Sequence, residues 1–174
     1  HGLGDLQQAV AYFEQALPIR REVGDRAGEA TSLNNIGGVY HGLGDLQQAV
    51  AYFEQALPIR REVGDRAGEA TTLNNIGLVY YELGDHQQAL FHFEHALPIR
   101  QEVGDRVGET VTRFNMAMIY EQDGEVDRAV IELEQVVELD RQVGHPDLES
   151  DTAVLDQVRR EREQGGSATG AGLA

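Results

Sequence analysis

Residues 1–40 read HGLGDLQQAVAYFEQALPIRREVGDRAGEATSLNNIGGVY, and residues 41–80 repeat this unit with only two changes, Ser32 to Thr72 and Gly38 to Leu78. The same period continues more loosely through residues 81–120 and 121–160. A fixed period of this length is typical of a stacked repeat protein, in which each unit buries its apolar face against its neighbours. The sequence therefore predicts four units in one elongated domain, with function on the surface that stacking creates.

Two helix boundaries recur in every unit. Gly44 can adopt the left-handed conformation that ends a helix, Asp45 can cap the next helix, and Gln48 can reach back in a capping box. Gly64 and Asp65 form the second boundary in the same way. These signals predict eight helices, at residues 5–23, 26–43, 45–63, 66–83, 85–103, 106–123, 125–143 and 147–163.

Apolar and small residues recur at helical spacing on neighbouring helices. One stripe comprises Leu73, Ile76, Gly77 and Tyr80, and the next comprises Ala89, Phe93 and Ala96. Together with Gly84, these residues keep the spacing of the tetratricopeptide repeat signature, with Leu in place of the usual Trp. The chain resembles that family over residues 1 to about 145, in the long-repeat form similar to the Leu-Gly-Asn G-protein regulators, kinesin light chains and the arrays of bacterial signalling ATPases.

The resemblance implies an all-α fold, a right-handed α-solenoid of antiparallel helix pairs known as the TPR superhelix. We place the TPR domain at residues 1–164, with repeat helices at 5–23, 26–63, 66–103 and 106–143 and a C-terminal capping helix at 147–163. Residues 165–174 are rich in Gly and Ser and are predicted to form a flexible tail.

Pro18, Pro58 and Pro98 lie well inside the predicted second helices, where a proline removes a hydrogen bond and crowds the preceding turn. Either the helix stops there or it continues with a kink. Because Ile59 and Val63 still supply apolar contacts beyond Pro58, we predict continuation with a kink.

The resemblance also implies that the first helix of each pair lines a concave groove that binds peptides or partner helices. The groove residues implied are Asn34, Asn35, Asn74, Asn75, Leu78, Tyr81, Phe114, Asn115 and Met118, with Thr31, Gly38, His41, Thr71, Val111 and Glu121 at neighbouring inward positions. An Asn amide both donates and accepts, so it can hold a peptide backbone without reading its sequence.

Two interpretations of the asparagines stay open, because Asn35, Asn75 and Asn115 can also tie one helix to the next. Asn34 and Asn74 are the stronger groove candidates, since Phe114 replaces them in the third pair. This replacement predicts a groove that is polar at one end and apolar at the other. For Phe114 and Met118 the alternative is packing against the last helix, and for Met116 we expect core packing.

The two ends of the array depart from the repeat. Core positions held by Ile76, Gly77 and Tyr80 correspond, at the 40-residue period, to the polar residues Asp156, Gln157 and Arg160, so residues 147–163 are predicted to form a solvating cap. At the other end the partner helix is absent, and we expect Ala9, Phe13 and Ala16 to face solvent. From this exposed face we expect that the chain is a fragment of a longer array or that the face is covered in an oligomer contact.

Catalysis has little support in the sequence. There is no nucleophile with a base at motif spacing and no phosphate-binding glycine loop, so we expect no enzyme activity and no cofactor. His86, His92 and His95 share a helix at a spacing that can bind zinc or copper, but a fourth ligand is missing. We therefore predict a solvated helix face and no metal.

The net charge of the chain limits the classes of partner that it is expected to bind. The 174 residues carry a formal net charge of −16 and contain no cysteine. This charge disfavours nucleic acids and acidic membrane faces, and the lack of a long apolar run predicts a cytoplasmic protein without a membrane span. The sequence predicts a module that binds a basic or neutral protein or peptide with an apolar anchor. The alternative is an oligomerisation or sensor segment of a larger bacterial signalling or transcription regulator, self-associating through the N-terminal helix.

Overall fold

Eight helices make up the chain in the computed structural model, which describes residues 3–170. They are α1 (Leu3–Glu22), α2 (Arg26–Gly42), α3 (Leu46–Glu62), α4 (Arg66–Glu82), α5 (His86–Val103), α6 (Arg106–Gln122), α7 (Val126–Val143) and α8 (Leu148–Gly170). No strand occurs within residues 3–170. Each predicted helix is present and begins within two residues of its predicted start.

Glycine and aspartate form the helix boundaries as predicted. Positive φ angles recur every 20 residues, at Gly24, Gly44, Gly64, Gly84, Gly104, Gly124 and Gly144. Asp45 caps α3 by accepting a hydrogen bond from the backbone N–H of Gln48 at 3.2 Å. The backbone N–H of Asp45 donates to Tyr40 instead, so the reciprocal bond of a capping box is replaced by a bond to the preceding helix.

The internal prolines do not end their helices. Pro18, Pro58 and Pro98 lie inside α1, α3 and α5, which continue to the next Gly-Asp boundary. Each proline faces solvent. The predicted continuation of these helices is confirmed.

The chain divides into two compact units, unit 1 (His1–Val103) and unit 2 (Gly104–Ala174). In unit 1, α1 packs on α2, α2 on α3, α3 on α4 and α4 on α5, and in unit 2 α6 packs on α7 and α7 on α8. The division falls inside the predicted TPR domain of residues 1–164.

Small residues allow close packing within each pair. A Cβ atom at Gly77 would lie 2.7 Å from the ring of Phe93, and one at Gly37 would lie 2.8 Å from Phe53. Such distances are far inside normal contact, so only glycine fits there. In unit 2 both partners differ, since Ala117 and Leu133 hold these positions and both are fully buried.

The last helix is out of frame with the other repeats. Asp156, Gln157 and Arg160 are exposed, as a cap requires, but the core contacts of α8 come from Leu155 and Val158. The core positions assigned to this helix from the 40-residue period were therefore wrong. The helix also runs to Gly170, past the predicted end at residue 163, so two consecutive glycines do not end it. Of the predicted flexible tail, residues 165–170 are helical and residues 171–174 lie outside the described part of the chain.

The N-terminal helix is only partly open to solvent. Ala9, Phe13 and Ala16 are half-buried rather than solvent-facing, because α1 packs on α2. The large exposed apolar side chains are instead Tyr12 and Ile19 of α1 and Val23, which directly follows the helix.

Within the described residues, none of the helices has both the length and the apolar character that crossing a membrane requires.

Candidate functional site

The predicted groove residues of unit 1 lie on α2 and α4, and several of them bond to each other. The side-chain oxygen of Asn34 accepts hydrogen bonds from the Thr72 hydroxyl at 3.2 Å and from the Asn75 amide at 3.4 Å. These bonds join α2 to α4. They supply the helix-tying role that the sequence left open for Asn75, and they occupy the acceptor of Asn34.

The burial of the predicted groove residues in unit 1 changes which of them can contact a ligand. Asn74, a preferred groove residue from the sequence, is only 5% exposed. Asn35, Leu78 and Tyr81 are half-buried and keep part of their surface in solvent, and the Tyr81 ring stacks on His86. The face that unit 1 offers a ligand therefore comes from Asn35, Leu78 and Tyr81 more than from Asn74.

The predicted groove residues of unit 2 lie on α6, where they border a cavity. Phe114, Asn115 and Met118 are half-buried, whereas Met116 belongs to the core as expected. A cavity of about 240 Å³ opens between α6 and the start of α8. Its lining comprises Thr110, Val111, Phe114, Asn115, His145, Asp147, Ser150 and Asp151. Two of the predicted groove residues, Phe114 and Asn115, thus form one wall of a pocket.

A buried acid in the first turn of the first helix is a feature of the earlier repeats. Glu69 is 4% exposed, and it accepts hydrogen bonds from Arg61 at 2.7 Å and Arg66 at 2.5 Å. Glu29 has the same two contacts, from Arg21 and Arg26. Burial raises the pKa of Glu29, but the two guanidinium groups outweigh it and hold the pKa below its ordinary value of 4.5. Each acid is thus stabilised by two internal cations.

The corresponding acid of α8 is Asp151, which the backbone bonds identify. The carbonyl of Asp65 accepts the N–H of Glu69 at 2.8 Å, and the carbonyl of Asp147 accepts the N–H of Asp151 at 2.9 Å. Asp65 directly follows Gly64, but two further residues separate Asp147 from Gly144. This insertion shifts the frame of α8 by two residues and explains why Leu155 and Val158 form its core.

Asp151 has lost the cations of its counterparts. Arg141, which corresponds to Arg61, pairs with Glu138 on its own helix at 2.8 Å. Asp140 stands where Arg60 stands in the second repeat, and it bonds through its carbonyl to His145 at 2.9 Å, as Arg60 does to Asp65. The start of α8 is therefore surrounded by acids where α4 is surrounded by arginines.

Several buried polar atoms around the cavity have no hydrogen-bond partner among the described residues. They are both carboxylate oxygens of Asp140, the hydroxyl of Thr110 and the amide nitrogen of Asn115. Asp140 is 0% exposed and Thr110 is 4% exposed. Most buried polar groups in proteins are bonded, so several unsatisfied ones at one cavity indicate a place for a ligand.

The surroundings of Asp151 raise its pKa. Burial, a hydrogen bond shared with Asp140 and the charges of Asp140 and Asp147 raise the pKa of Asp151 to about 7, and His145 opposes this rise. Asp151 can satisfy Asp140 only by carrying a proton, because two carboxylates have no donor between them.

The histidines of α5 do not assemble a metal site. His92 stacks on Tyr80, and His95 bonds to the backbone carbonyl of Phe91 at 2.6 Å. Burial lowers the pKa of His92. Across the described part of the chain, no group of three or more His, Asp or Glu side chains has the arrangement that a metal ion needs.

Sequence reasoning found Phe114 and Asn115 but missed the acidic wall. The missed residues are Thr110, Asp140, His145, Asp147, Ser150 and Asp151. A signal was present: Asp140 replaces Arg20, Arg60 and Arg100, and His145 replaces Asp25, Asp65 and Asp105. Two linked charge changes in one repeat indicate a site where the repeat's own ion pair has been given up.

Comparisons with known proteins agree with this architecture. BtubC (BKLC) from P. vanneervenii superposes with a TM-score of 0.83 at 20% identity, over 98% of this chain and 76% of that one. A putative kinesin light chain with nearly identical TPR-like repeats from Podosopora anserina gives 0.75 at 22%, over 95% and 83%. A Signal Transduction ATPase with Numerous Domains protein with a tetratricopeptide repeat sensor, from Pyrococcus horikoshii, gives 0.81 at 18%, over 90% of this chain and 24% of that one.

These likenesses show the fold and confirm the predicted all-α solenoid of helix pairs. No curated protein matches this chain in sequence. The model of the tetratricopeptide repeat family matches residues 1–62, 37–102 and 68–142. The chain therefore belongs to the tetratricopeptide repeat family.

Proposed function

We propose that this chain is an interaction module that binds a peptide or partner helix through the first helices of its pairs. Tetratricopeptide repeats generally mediate contacts between proteins. The residues that we assign to ligand contact are Asn35, Leu78 and Tyr81 in unit 1 and Phe114, Asn115 and Met118 in unit 2.

One observation carries the proposal. The cavity of about 240 Å³ in unit 2 is walled on one side by Phe114 and Asn115, which were assigned to the groove from sequence alone. A concave site with an aromatic wall and a few polar groups suits the anchor residue of a peptide. The amide of Asn115, which lacks a partner among the described residues, can bond to a peptide carbonyl.

A random peptide library displayed on phage and selected on the full chain tests this function. A selected peptide is then labelled, and its affinity is measured by fluorescence anisotropy. Phe114→Ala and Asn115→Ala should each weaken binding at least about tenfold, as expected for an anchor pocket. Phe91→Ala is the matched control, because Phe91 is a 51% exposed aromatic residue on a second helix. Equal affinity for all three variants would refute binding at this face.

A second candidate function is self-association through α1 and the turn that follows it, favoured by the exposure of Tyr12, Ile19 and Val23. These side chains form an apolar surface that a second copy can cover. Light scattering of the full chain and of Tyr12→Glu tests it. A concentration-dependent dimer that the substitution abolishes would support this function, and a monomer at all concentrations would exclude it.

A further inference from the structure

We propose that the cavity between α6 and the start of α8 receives the guanidinium group of an arginine side chain from the bound partner. The inference rests on the proposed function, because this arginine belongs to the peptide that the module binds.

The first argument is charge. Asp147 and Asp151 line the cavity, Asp140 lies in contact behind Asp151, and no Arg or Lys side chain is among the lining residues. The nearest internal candidate for a cation is His145, whose Nδ1 lies 3.9 Å from Asp140 and 3.7 Å from Asp147. Both distances exceed those of a hydrogen bond, so His145 does not satisfy these acids. The site is built for a positive charge that it does not itself supply.

The second argument is the set of buried atoms without partners. Thr110 lines the cavity and is 4% exposed, and its hydroxyl has no hydrogen-bond partner among the described residues. The fully buried carboxylate of Asp140 has only the proton that it shares with Asp151. A buried polar group that is left without enough hydrogen-bond partners is disfavoured. A ligand that brings several N–H donors into the cavity removes this cost.

The third argument identifies the cation as a guanidinium. Its planar fork carries five donors and bonds to several carboxylate oxygens at once, whereas an ammonium group carries three. It also stacks on an aromatic face such as that of Phe114. A divalent metal is disfavoured, because the acids and the histidine do not form a metal-binding group in the described part of the chain.

The repeat itself supplies a precedent. Glu29 and Glu69, the counterparts of Asp151, are each held by two arginines of the same chain. Asp151 occupies the same position in the first turn and has none. A partner's arginine would restore at α8 the contact that the earlier repeats make internally.

The test uses three small probes: acetyl-arginine N-methylamide, its lysine counterpart and its citrulline counterpart, which keeps the arginine shape without the charge. Each is titrated into the isotope-labelled full chain at pH 7.5, with the Asn115 side-chain amide and the backbone amides of Ser150 and Asp151 as reporters. The arginine probe should shift these signals. It should bind at least about tenfold more tightly than the citrulline probe, since charged hydrogen bonds are lost in the latter. Equal binding of these two probes, or stronger binding of the lysine probe, would overturn the assignment.

Matched variants locate the site. Asp151→Asn should weaken binding of the arginine probe at least about tenfold, while Glu149→Gln removes an exposed charge from the same turn and should leave it unchanged. Equal effects of both substitutions would reduce the interaction to general attraction by an acidic chain and overturn the inference. The spectrum of each variant shows whether it is folded. Asn115→Ala provides a second test that leaves all charges in place, and full retention of its arginine affinity would also contradict the site.

The inference and the proposed function fail in different ways. If phage-selected peptides bind at Phe114 but citrulline replaces their arginines without loss, the guanidinium site is wrong and the function stands. If the arginine probe binds at the cavity but no peptide is selected, the site stands and the function is wrong.

Discussion

The first turn of α4 in unit 1 and the first turn of α8 in unit 2 carry the same kind of carboxylate in opposite surroundings. Glu69 accepts from Arg61 and Arg66, whereas Asp151 faces Asp140 and pairs with no arginine among the described residues. Both acids lie in a first turn closed by the same backbone hydrogen bond, and a glycine with positive φ precedes each turn, although two extra residues follow Gly144. A repeat can thus keep its fold while a few substitutions turn a satisfied internal contact into an acceptor for a ligand.

In the apolar core, a substitution at one position is compensated by a substitution at the position that it contacts. Gly77 and Phe93 in unit 1 become Ala117 and Leu133 in unit 2, where one residue grew and its partner shrank. Packing at the helix contact is thereby preserved. The acids at α8 are compensated only in part, because His145 lies 3.9 Å from Asp140 and 3.7 Å from Asp147 and no arginine among the described residues takes the role of Arg61 and Arg66 there.

The largest expected effect comes from disrupting the contact between Gly77 and Phe93 in unit 1. Gly77→Ala should destabilise the protein by about 1–3 kcal/mol, because the new Cβ overlaps the Phe93 ring. Phe93→Leu added to it should recover most of this loss, since the pair then matches Ala117 and Leu133. Chemical denaturation of the two single variants and the double variant measures the coupling, and strictly additive losses would contradict the packing argument.

The next effect concerns the fully buried Asp140. Asp140→Asn should raise the free energy of unfolding by about 1–2 kcal/mol at pH 8, because an amide has a donor for Asp151 and carries no buried charge. Denaturation with urea measures the change. Asp156→Asn, on an exposed position of α8, is the control and should change stability little. A loss of stability in Asp140→Asn would show that the buried carboxylate is stabilised by more than the hydrogen bond that it shares with Asp151.

A smaller effect is the dependence of stability on pH. The groups that face Asp151 are Asp140 on α7 and His145 and Asp147 before α8, and α6 contributes only uncharged side chains to the cavity. Because the pKa of Asp151 is raised from 3.8 to about 7, the folded state holds its proton more tightly than the unfolded state. This contribution is fully present below pH 3.8 and is lost as the pH rises through 7.

Comparing the wild type with Asp151→Asn isolates that contribution. Between pH 5 and pH 8 the wild type should lose stability relative to the variant, as measured by urea denaturation at each pH. Parallel curves for the two proteins would mean that Asp151 titrates normally in the folded chain.

The smallest effect concerns the exposed ion pairs between neighbouring repeats. Arg26 bonds to Glu62 and Arg66 bonds to Glu102, each at 2.7 Å. At the 40-residue period the corresponding positions of the next repeat hold Arg106 and the uncharged Gln142. Glu102→Gln should lower the melting temperature only slightly, and Gln142→Glu should raise it by no more than that. Both changes should shrink in high salt, as thermal melting at two ionic strengths would show. A large effect that is independent of salt would contradict an exposed pair.

The fold was predictable because its signals are local and repeated. Gly44 with Asp45 and Gly64 with Asp65 mark helix ends by backbone conformation and capping, which depend little on distant contacts. The continuation of α3 through Pro58 followed from the apolar residues beyond it. The core positions of α8 were not predictable from the 40-residue period. Two residues are inserted after Gly144, and they shift every later position relative to that period.

The candidate site was predictable only on its α6 wall. Phe114 and Asn115 stood out because they break or keep a repeated position on one helix. The opposite wall depends on how Asp140 and Asp151 meet across two helices, and spacing along the chain carries no such information. The same limit applies to Asn74, whose burial depends on neighbours in space.

The most direct test of the arginine site is proton release on binding at pH 7. Titration calorimetry of acetyl-arginine N-methylamide in two buffers with different ionisation enthalpies gives the number of protons exchanged. If the guanidinium takes the place of the proton on Asp151, binding to the wild type should release about half a proton, and binding to Asp151→Asn should be weaker and release none. Binding to the wild type without proton release, or release of the same size from the variant, would contradict the site.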